Sequence, residues 1–260
     1  MPTVREIESA LFQLAPRELA MEWDNVGLLV GDCEKEVHRV LVALDVTAGT
    51  AEEAARVGAE LIVAHHPVMN CHWTPVQSLR DDNLQGQLLR KLVRDGIAAI
   101  CMHTNLDAAQ GGVNDALACQ LGLEQVEALD GGDGIARMGL LPEAMELTDF
   151  LALVRKRLRP NGIRFVDGGR PVRRVAVGGG ACGEYFTAAA AGGCDALVTA
   201  DVKYNQFLDA AGLGLSLLDA GHFPTEDVVC PVLVRFLQER FPELRITRSD
   251  SHRELIHYYV

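Results

Sequence analysis

The sequence has few aromatic residues, no long apolar run and fewer basic than acidic residues. Aromatic residues make up 5% of the 260 residues, whereas hydrophobic residues make up 48%, which is enough for one large core or two smaller ones. This aliphatic composition is typical of α/β proteins, whose parallel strands are buried on both faces. No segment reaches the ~18 apolar residues of a membrane span, and no basic stretch followed by an apolar run opens the chain. We therefore expect a cytoplasmic protein with no membrane partner.

Charge and cysteine spacing exclude further classes. The chain has 24 Lys and Arg against 36 Asp and Glu, a formal net charge of -12. Such a surface repels nucleic acid as a whole, so we expect no nucleic-acid partner. The seven cysteines are odd in number and no two are spaced as C-x-x-C. This pattern favours reduced core thiols over disulfides or a zinc ribbon.

Apolar periodicity predicts strands that alternate with helices. In the first half, strands are predicted over 37–44, 61–64 and 97–101, after a helix over 4–14 and with helices near 50–58 and 84–94. Thr50 and Glu53 are predicted to form a capping box at the start of the helix near 50–58. In the second half, strands are predicted over 174–177, 196–199 and 215–218, with helices near 148–158, 184–191 and 203–211. A long helix from Pro224 and strands over 244–248 and 255–259 follow. This order is typical of α/β folds with parallel sheets and crossover helices.

The two halves resemble each other. Leu61 aligns with Leu197, and further on two histidines at predicted strand ends are each followed four residues later by an acid. Chance similarity between two βαβ units would explain the order of elements, but the repeated motif favours an internal duplication. We therefore predict an N-terminal α/β lobe over residues 1–130 and a C-terminal α/β lobe over 131–260, with the boundary in the glycine-rich turn 130–134.

Polar side chains gather at the predicted carboxyl ends of the strands, where open α/β sheets bind ligands. These side chains are Asp45, His65 with His66, His103 with Asp107, and His222 with Glu226. Each motif alone also occurs as an ordinary core or surface histidine, but their recurrence at equivalent strand ends favours a metal site of imidazole and carboxylate ligands. Adjacent histidines of an ideal strand point to opposite sides, so two ions ~3.5–4 Å apart suit the pair better than one ion.

Other candidate features have simpler interpretations. The loop Val177–Gly183 follows a predicted strand and precedes a predicted helix, so it is either a phosphate cradle of backbone N–H groups or a tight turn without a ligand. It lacks the Lys-Ser/Thr of a nucleotide P-loop. His38, His72, His252 and His257 lie outside any such motif, and we predict structural roles for them.

Five motifs together resemble one protein family. They are Trp23–Gly31, His65–Pro67, His103–Asp107, Asp201–Tyr204 and Gly221–Glu226. Their order and spacing, over nearly the whole chain, resemble the Nif-three-like proteins, also called dinuclear metal centre proteins or the GTP cyclohydrolase I type 2 family. The chain departs from the family pattern at Ala200, Asn205 and Ala181-Cys182, none of which is a ligand position.

The resemblance implies two related α/β lobes with a pair of divalent metal ions, iron, zinc or manganese, at their junction. The ligands that it implies are His65, His66, Asp107, His222 and Glu226. It places His103 close to the metals, where this residue is the candidate for proton transfer. It also implies a homo-oligomer, a toroidal hexamer, and a metal-dependent hydrolase of the GTP cyclohydrolase type that acts on a small, nucleotide-like substrate. The alternative is a non-catalytic metal-handling or regulatory scaffold.

Overall fold

The computed structural model describes residues 1–69, 76–131 and 133–259. Its strands are β1 (Gly27–Val30), β2 (Arg39–Ala43), β3 (Leu61–Ala64), β4 (Ala98–Cys101), β5 (Glu124–Ala128), β6 (Arg137–Met145), β7 (Arg164–Val166), β8 (Val172–Val177), β9 (Ala196–Thr199), β10 (Ser216–Asp219) and β11 (Arg245–Arg248). Its α-helices are α1 (Val4–Leu14), α2 (Ala48–Val57), α3 (Leu84–Asp95), α4 (Thr104–Ala108), α5 (Val113–Leu121), α6 (Leu147–Leu158), α7 (Phe186–Ala191), α8 (Tyr204–Gly212), α9 (His222–Glu226) and α10 (Cys230–Arg240). The predictions for Cys71 and His72, and Gly132 in the predicted boundary turn, lie outside the described residues.

The chain forms two compact units, and neither is continuous in sequence. The first contains Met1–Ala109 and Cys230–Arg253, and the second contains Gln110–Val229 with the chain from Glu254 onwards. The helix α10 and the strand β11 therefore belong to the first unit, although they lie near the end of the sequence. The predicted division into 1–130 and 131–260 refers to the sequence repeat rather than to compactness, and it stays a prediction.

The sheet of the first unit has the strand order β1-β4-β3-β2-β11. The strands β2, β3 and β4 are parallel, β1 is antiparallel to β4, and β11 is parallel to β2 at the other edge. All four residues of β3 and of β4 are buried, as expected for aliphatic strands covered on both faces. The carboxyl ends of β2, β3 and β4 thus share one edge of the sheet.

The sheet of the second unit has the strand order β5-β6-β8-β9-β10-β7. The strands β8, β9 and β10 are parallel, and β7 is antiparallel to β10. Its core includes Phe150 of α6, which is fully buried, and Val175 and Val198 of the sheet. Each unit therefore contains three parallel strands in chain order with an antiparallel strand beside the third. The origin of this common pattern by duplication stays a prediction.

The α/β fold is confirmed, and three local predictions are wrong. The helix α2 begins at Ala48 because Thr47 caps it: the Thr47 hydroxyl accepts the Thr50 N–H at 3.1 Å, and the Thr50 hydroxyl accepts the Thr47 N–H at 2.6 Å. Thr50 is thus not the cap. The predicted strand 255–259 is irregular chain, and the predicted long helix from Pro224 is divided into α9, a 3₁₀ turn over 227–229 and α10. Among the described residues, no helix combines the length and apolar character needed to cross a bilayer.

Glu53, which the sequence suggested as part of a cap, instead holds the segment after β11. Its buried carboxylate accepts the N–H and hydroxyl of Ser251, the hydroxyl of Ser249 and the N–H of Asp250. Burial by itself would raise the pKa of Glu53, but these hydrogen bonds outweigh burial and lower the pKa from 4.5 to about 2. An ionised Glu53 therefore fixes the turn that follows the C-terminal strand of the first unit.

We expect Glu53→Gln to lower the free energy of unfolding by about 1.5–3 kcal/mol at pH 7, because a neutral amide replaces a charged acceptor of several hydrogen bonds. The lowered pKa means that this stabilisation is complete above pH 4.5 and is lost as the pH falls through about 2. Urea unfolding between pH 7 and about pH 2 measures both effects. The control is Glu52→Gln, at an exposed neighbour. Equal losses in the two variants would contradict the assigned role of Glu53.

Candidate metal centre

His65 and His66 follow β3 at the carboxyl edge of the first sheet. Their two N–H groups both donate to the carbonyl oxygen of Leu44, at 3.1 and 3.0 Å. This shared acceptor holds the backbone so that both side chains leave the end of the strand together. The His65 side chain is fully buried, and that of His66 is 22% exposed. The His65 ring is therefore shielded from solvent, whereas the His66 ring is partly accessible to solvent.

Three imidazole rings of the first unit converge. The ring centroids of His65 lie 4.8 Å from His66 and 5.2 Å from His103, and those of His66 and His103 lie 5.5 Å apart. One ring nitrogen from each of the three lies within 4.8 Å of the others. His103 is the N-cap residue of α4, so the end of β4 and the start of α4 bring it to the pair.

Hydrogen bonds orient His65 and His103. His65 Nδ1 lies 2.8 Å from the carbonyl oxygen of Met102, and His103 Nδ1 lies 2.8 Å from Asp24 Oδ1. Burial would raise the pKa of Asp24, but hydrogen bonds from His103 and Thr104 outweigh burial and lower the pKa to about 2. A carbonyl and an ionised carboxylate only accept, so Nδ1 carries the proton in each neutral ring. Nε2 is then the nitrogen with a lone pair, which is the arrangement of metal-ligating histidines.

His66 is oriented by a carboxylate that a second histidine also contacts. His66 Nδ1 lies 2.7 Å from Asp45 Oδ1, and His252 Nε2 lies 2.8 Å from Asp45 Oδ2. Burial would raise the pKa of Asp45, but the hydrogen bonds from His252 and His66 hold it well below its usual range. The sequence predicted only a structural role for His252. In the structure, His252 contacts Asp45, which in turn contacts the candidate ligand His66.

Asp107 adds a carboxylate to the three rings. It lies on α4, four residues after His103, and its side chain is 11% exposed. Its Oδ1 is 3.6 Å from His65 Nε2, the ring nitrogen opposite the Met102 carbonyl. In the first unit, the structure thus brings together the predicted residues His65, His66, His103 and Asp107.

The second unit brings its own two predicted residues together. His222 and Glu226 lie one turn apart on α9, with His222 Nε2 at 2.9 Å from Glu226 Oε2. His222 Nδ1 lies 2.6 Å from Asp201 Oδ2. Burial would lower the pKa of His222, but its hydrogen bonds to the carboxylates of Asp201 and Glu226 raise the pKa to about 11. Asp201 itself has φ +51°, a strained conformation of the kind found at functional sites.

Comparison with known proteins identifies the family. The family model of Duf34/NIF3 (NGG1p interacting factor 3) matches residues 2–254. The chain belongs to the Duf34/NIF3 family. It is 32% identical to a GTP cyclohydrolase 1 type 2 homolog of Clostridium perfringens, over 97% of this chain and 95% of that protein. It is 37% identical to one of Streptomyces coelicolor, over 92% and 87%. A Bacillus cereus protein related to NIF3 has a similar structure, with a TM-score of 0.92, 26% identity and coverage of 100% and 99%.

In this Duf34/NIF3 chain, the glycine-rich loop before α7 is a tight turn. The N–H of Gly178 donates to the Val198 carbonyl, that of Gly179 to Asn114 Oδ1 and that of Gly180 to the Thr225 hydroxyl. These successive N–H groups are used within the protein, so they do not form a phosphate cradle. Of the two interpretations left open by the sequence, the structure supports the turn.

Gly180 has a direct role beside the candidate ligands of the second unit. It adopts φ +63°, and a Cβ atom there would lie 2.0 Å from Glu226 Oε1 and 3.1 Å from His222 Cε1. The loop therefore lies so close to Glu226 and His222 that only glycine, which has no Cβ atom, fits at this position. The glycine pattern was visible in the sequence, but its packing against these two side chains was not.

The sequence analysis did not predict the role of four residues that orient the candidate ligands. They are Asp24, Asp45, Asp201 and His252. Asp24 lies within the motif Trp23–Gly31, Asp45 follows the predicted first strand, and Asp201 aligns with His65 in the repeat. These positions were signals that each could have a role. His252 carried no such signal.

We expect Gly180→Ala to destabilise the protein more than Gly122→Ala. Both glycines have positive φ, but a Cβ at Gly122 meets nothing within 4 Å. In each variant, the left-handed backbone conformation lowers the free energy of unfolding by about 1 kcal/mol. At Gly180, the overlap of the new Cβ with Glu226 lowers it by about a further 1–3 kcal/mol. Urea unfolding of the metal-free variants measures the difference. Equal losses would show that Glu226 moves aside without cost.

Proposed function

We propose that this protein binds two divalent metal ions, iron, zinc or manganese, through His65, His66, Asp107, His222 and Glu226. The observation that carries the proposal is the convergence of His65, His66 and His103, whose Nδ1 atoms contact oxygen acceptors. In that arrangement Nε2 carries the lone pair of each neutral ring. The Nε2 atoms of His65 and His66 and the carboxylate of Asp107 form a nitrogen and oxygen donor set that fits these ions, and His103 lies beside this set.

We propose, as the family resemblance implies, that the five ligands belong to one dinuclear centre. Two considerations support it. His222 and Glu226 repeat the spacing of His103 and Asp107, and the five ligands are too many for one tetrahedral ion. Divided between two ions, they leave open coordination positions, which catalytic sites have and closed structural sites lack.

We further propose that the protein is a metal-dependent hydrolase that acts on a nucleotide-like small molecule. The proposal is supported by relatives that are named GTP cyclohydrolase 1 type 2 homolog. Bound ions would supply Lewis-acid activation of water and of the attacked bond. His103 is suited to proton transfer, because Asp24 holds its Nδ1 and its side chain is 13% exposed.

We also propose that the protein is a cytoplasmic homo-oligomer, a toroidal hexamer, as the resemblance implies. Support comes from large apolar side chains exposed on or just after α8 of the second unit: Tyr204 is 78%, Leu208 56% and Leu213 52% exposed. Apolar surface of this kind suits a subunit contact. Sedimentation equilibrium of the purified chain gives the number of subunits, and a monomer at micromolar concentration would refute the oligomer.

We expect about two metal ions per chain, and we expect the two related histidines to differ. His222→Ala, which removes a ligand, should lose metal, whereas His103→Ala should keep most of it with an affinity about 10–100-fold lower at most. Glu226→Gln should lose one ion, because a neutral amide is a weaker ligand for a divalent ion than a carboxylate is. Elemental analysis after dialysis against buffered metal measures all three. A wild type with a single ion, or a His103→Ala variant as empty as His222→Ala, would contradict the assigned ligands.

We expect slow hydrolysis of a purine nucleotide by protein loaded with manganese, iron or zinc. The test incubates wild type and the His65→Ala/His66→Ala double variant with GTP and follows the products by mass spectrometry. Turnover that the double variant lacks supports the hydrolase. Equal background in both proteins with every metal would instead favour a metal-handling or regulatory scaffold.

A further inference from the structure

We propose that His252 is a positioning residue for the candidate ligand His66, and that it makes the two metal positions unequal. The inference rests on the proposed function, because it concerns how one of the proposed ligands is held. It assigns a role in the proposed metal centre to the segment Ser249–His252, which lies about 185 residues after His66 in the sequence. All the contacts that carry it lie within the first unit.

The contact between His252 and His66 runs through one carboxylate. Asp45 Oδ1 accepts from His66 Nδ1 at 2.7 Å, and Asp45 Oδ2 accepts from His252 Nε2 at 2.8 Å. Both oxygens are engaged, so the carboxylate plane is fixed by His252 and in turn fixes the ring of His66. The Asp45 side chain is 37% exposed, whereas that of His252 is 9% exposed. Without His252, Asp45 would be a partly exposed side chain that rotates and hydrogen-bonds to water.

The backbone around His252 is held from two directions. The strand β11 pairs with β2 up to Arg248 opposite Val42, and the next N–H, of Ser249, donates to the Val42 carbonyl at 2.8 Å. Glu53 then accepts the N–H groups of the two following residues, and the N–H of His252 donates to the Ser249 hydroxyl at 3.2 Å. The position of the imidazole is thus set by the sheet edge and the buried Glu53.

Adjacent ligands differ in the group behind them. His65 Nδ1 donates to the neutral carbonyl of Met102, whereas His66 Nδ1 donates to the carboxylate of Asp45. A carboxylate behind the ring increases the basicity of the ligating nitrogen and fixes the ring orientation. Since His66 Nδ1 donates to Asp45 whereas His65 Nδ1 donates to the Met102 carbonyl, a change at His252 should affect the ion that His66 binds and spare the ion that His65 binds.

The experiment compares His252→Ala, His252→Gln and the control His257→Ala in the full chain. Gln has an amide nitrogen that can donate to Asp45 Oδ2, so it replaces the hydrogen bond without the ring. His257 is an exposed histidine five residues further on. Metal-free protein is titrated with Zn²⁺ in competition with a chromophoric chelator to resolve two stepwise affinities. Thermal unfolding in EDTA reports the stability of the metal-free fold.

We expect His252→Ala to weaken one of the two binding steps by about 10–100-fold and to change the other by less than about threefold, the size of effect seen when the partner of a ligand is removed. His252→Gln should recover most of the loss, and His257→Ala should match wild type. Asp45→Asn, which keeps the side-chain shape and loses the charge, should weaken the same step if His252→Ala proves too unstable to titrate.

Three results would overturn the inference. Unchanged affinities in both His252→Ala and Asp45→Asn would show that His66 needs no such support. Equal weakening of both steps, together with a lower unfolding temperature in EDTA and no recovery in His252→Gln, would mark His252 as merely structural. A wild type that binds fewer than two ions would overturn the proposed function itself and this inference with it. If the wild type instead binds two ions and the His252 variants bind them with unchanged affinities, the inference alone fails and the proposed function stands.

Discussion

The candidate metal centre depends on one repeated interaction, a hydrogen bond from histidine Nδ1 to an oxygen acceptor. A histidine ring without such a partner rotates and exchanges its proton between two nitrogens, so it presents no fixed lone pair. Each of the four histidines at the sheet edges has its Nδ1 against an oxygen, which directs Nε2 of the neutral ring away from that acceptor. The pairs are His65 with the Met102 carbonyl, His66 with Asp45, His103 with Asp24, and His222 with Asp201.

Parallel strands explain why these pairs can form at all. In each unit, three parallel strands in chain order end at one edge of the sheet, so the residues that follow them meet although they are far apart in sequence. The first turn of a short helix then places a carboxylate four residues after a histidine, at Asp107 in α4 and at Glu226 in α9. The shared edge of the parallel strands and the four-residue spacing of a histidine and an acid therefore produce similar groups of side chains in both units.

The sequence predicts the α/β fold and the parallel strands well because aliphatic runs such as Leu61–Ala64 report burial directly. It does not predict β1, β5, β6 and β7, which pair antiparallel near the sheet edges; β5, for example, is wholly exposed and has no run of aliphatic residues. Candidate ligands were found because they lie in short local motifs. The roles of the residues that orient these ligands were not predicted, because the contacts join distant parts of the chain. Asp24 precedes His103 by 79 residues, and His252 follows Asp45 by 207. No local pattern encodes such a contact, and only the folded sheet creates it.

Charge balance links the metal-free protein to the proposed centre. The chain is already strongly acidic, and in the second unit Asp201 and Glu226 both contact His222, whose raised pKa keeps its ring protonated at neutral pH. The proton thus offsets the repulsion between two carboxylates. A ligating imidazole has to be neutral, so an ion bound by His222, as proposed, would displace the proton and replace it as the positive charge between the acids. The carboxylates that hold the proton would then also favour the ion, and protons would compete with metal for this position.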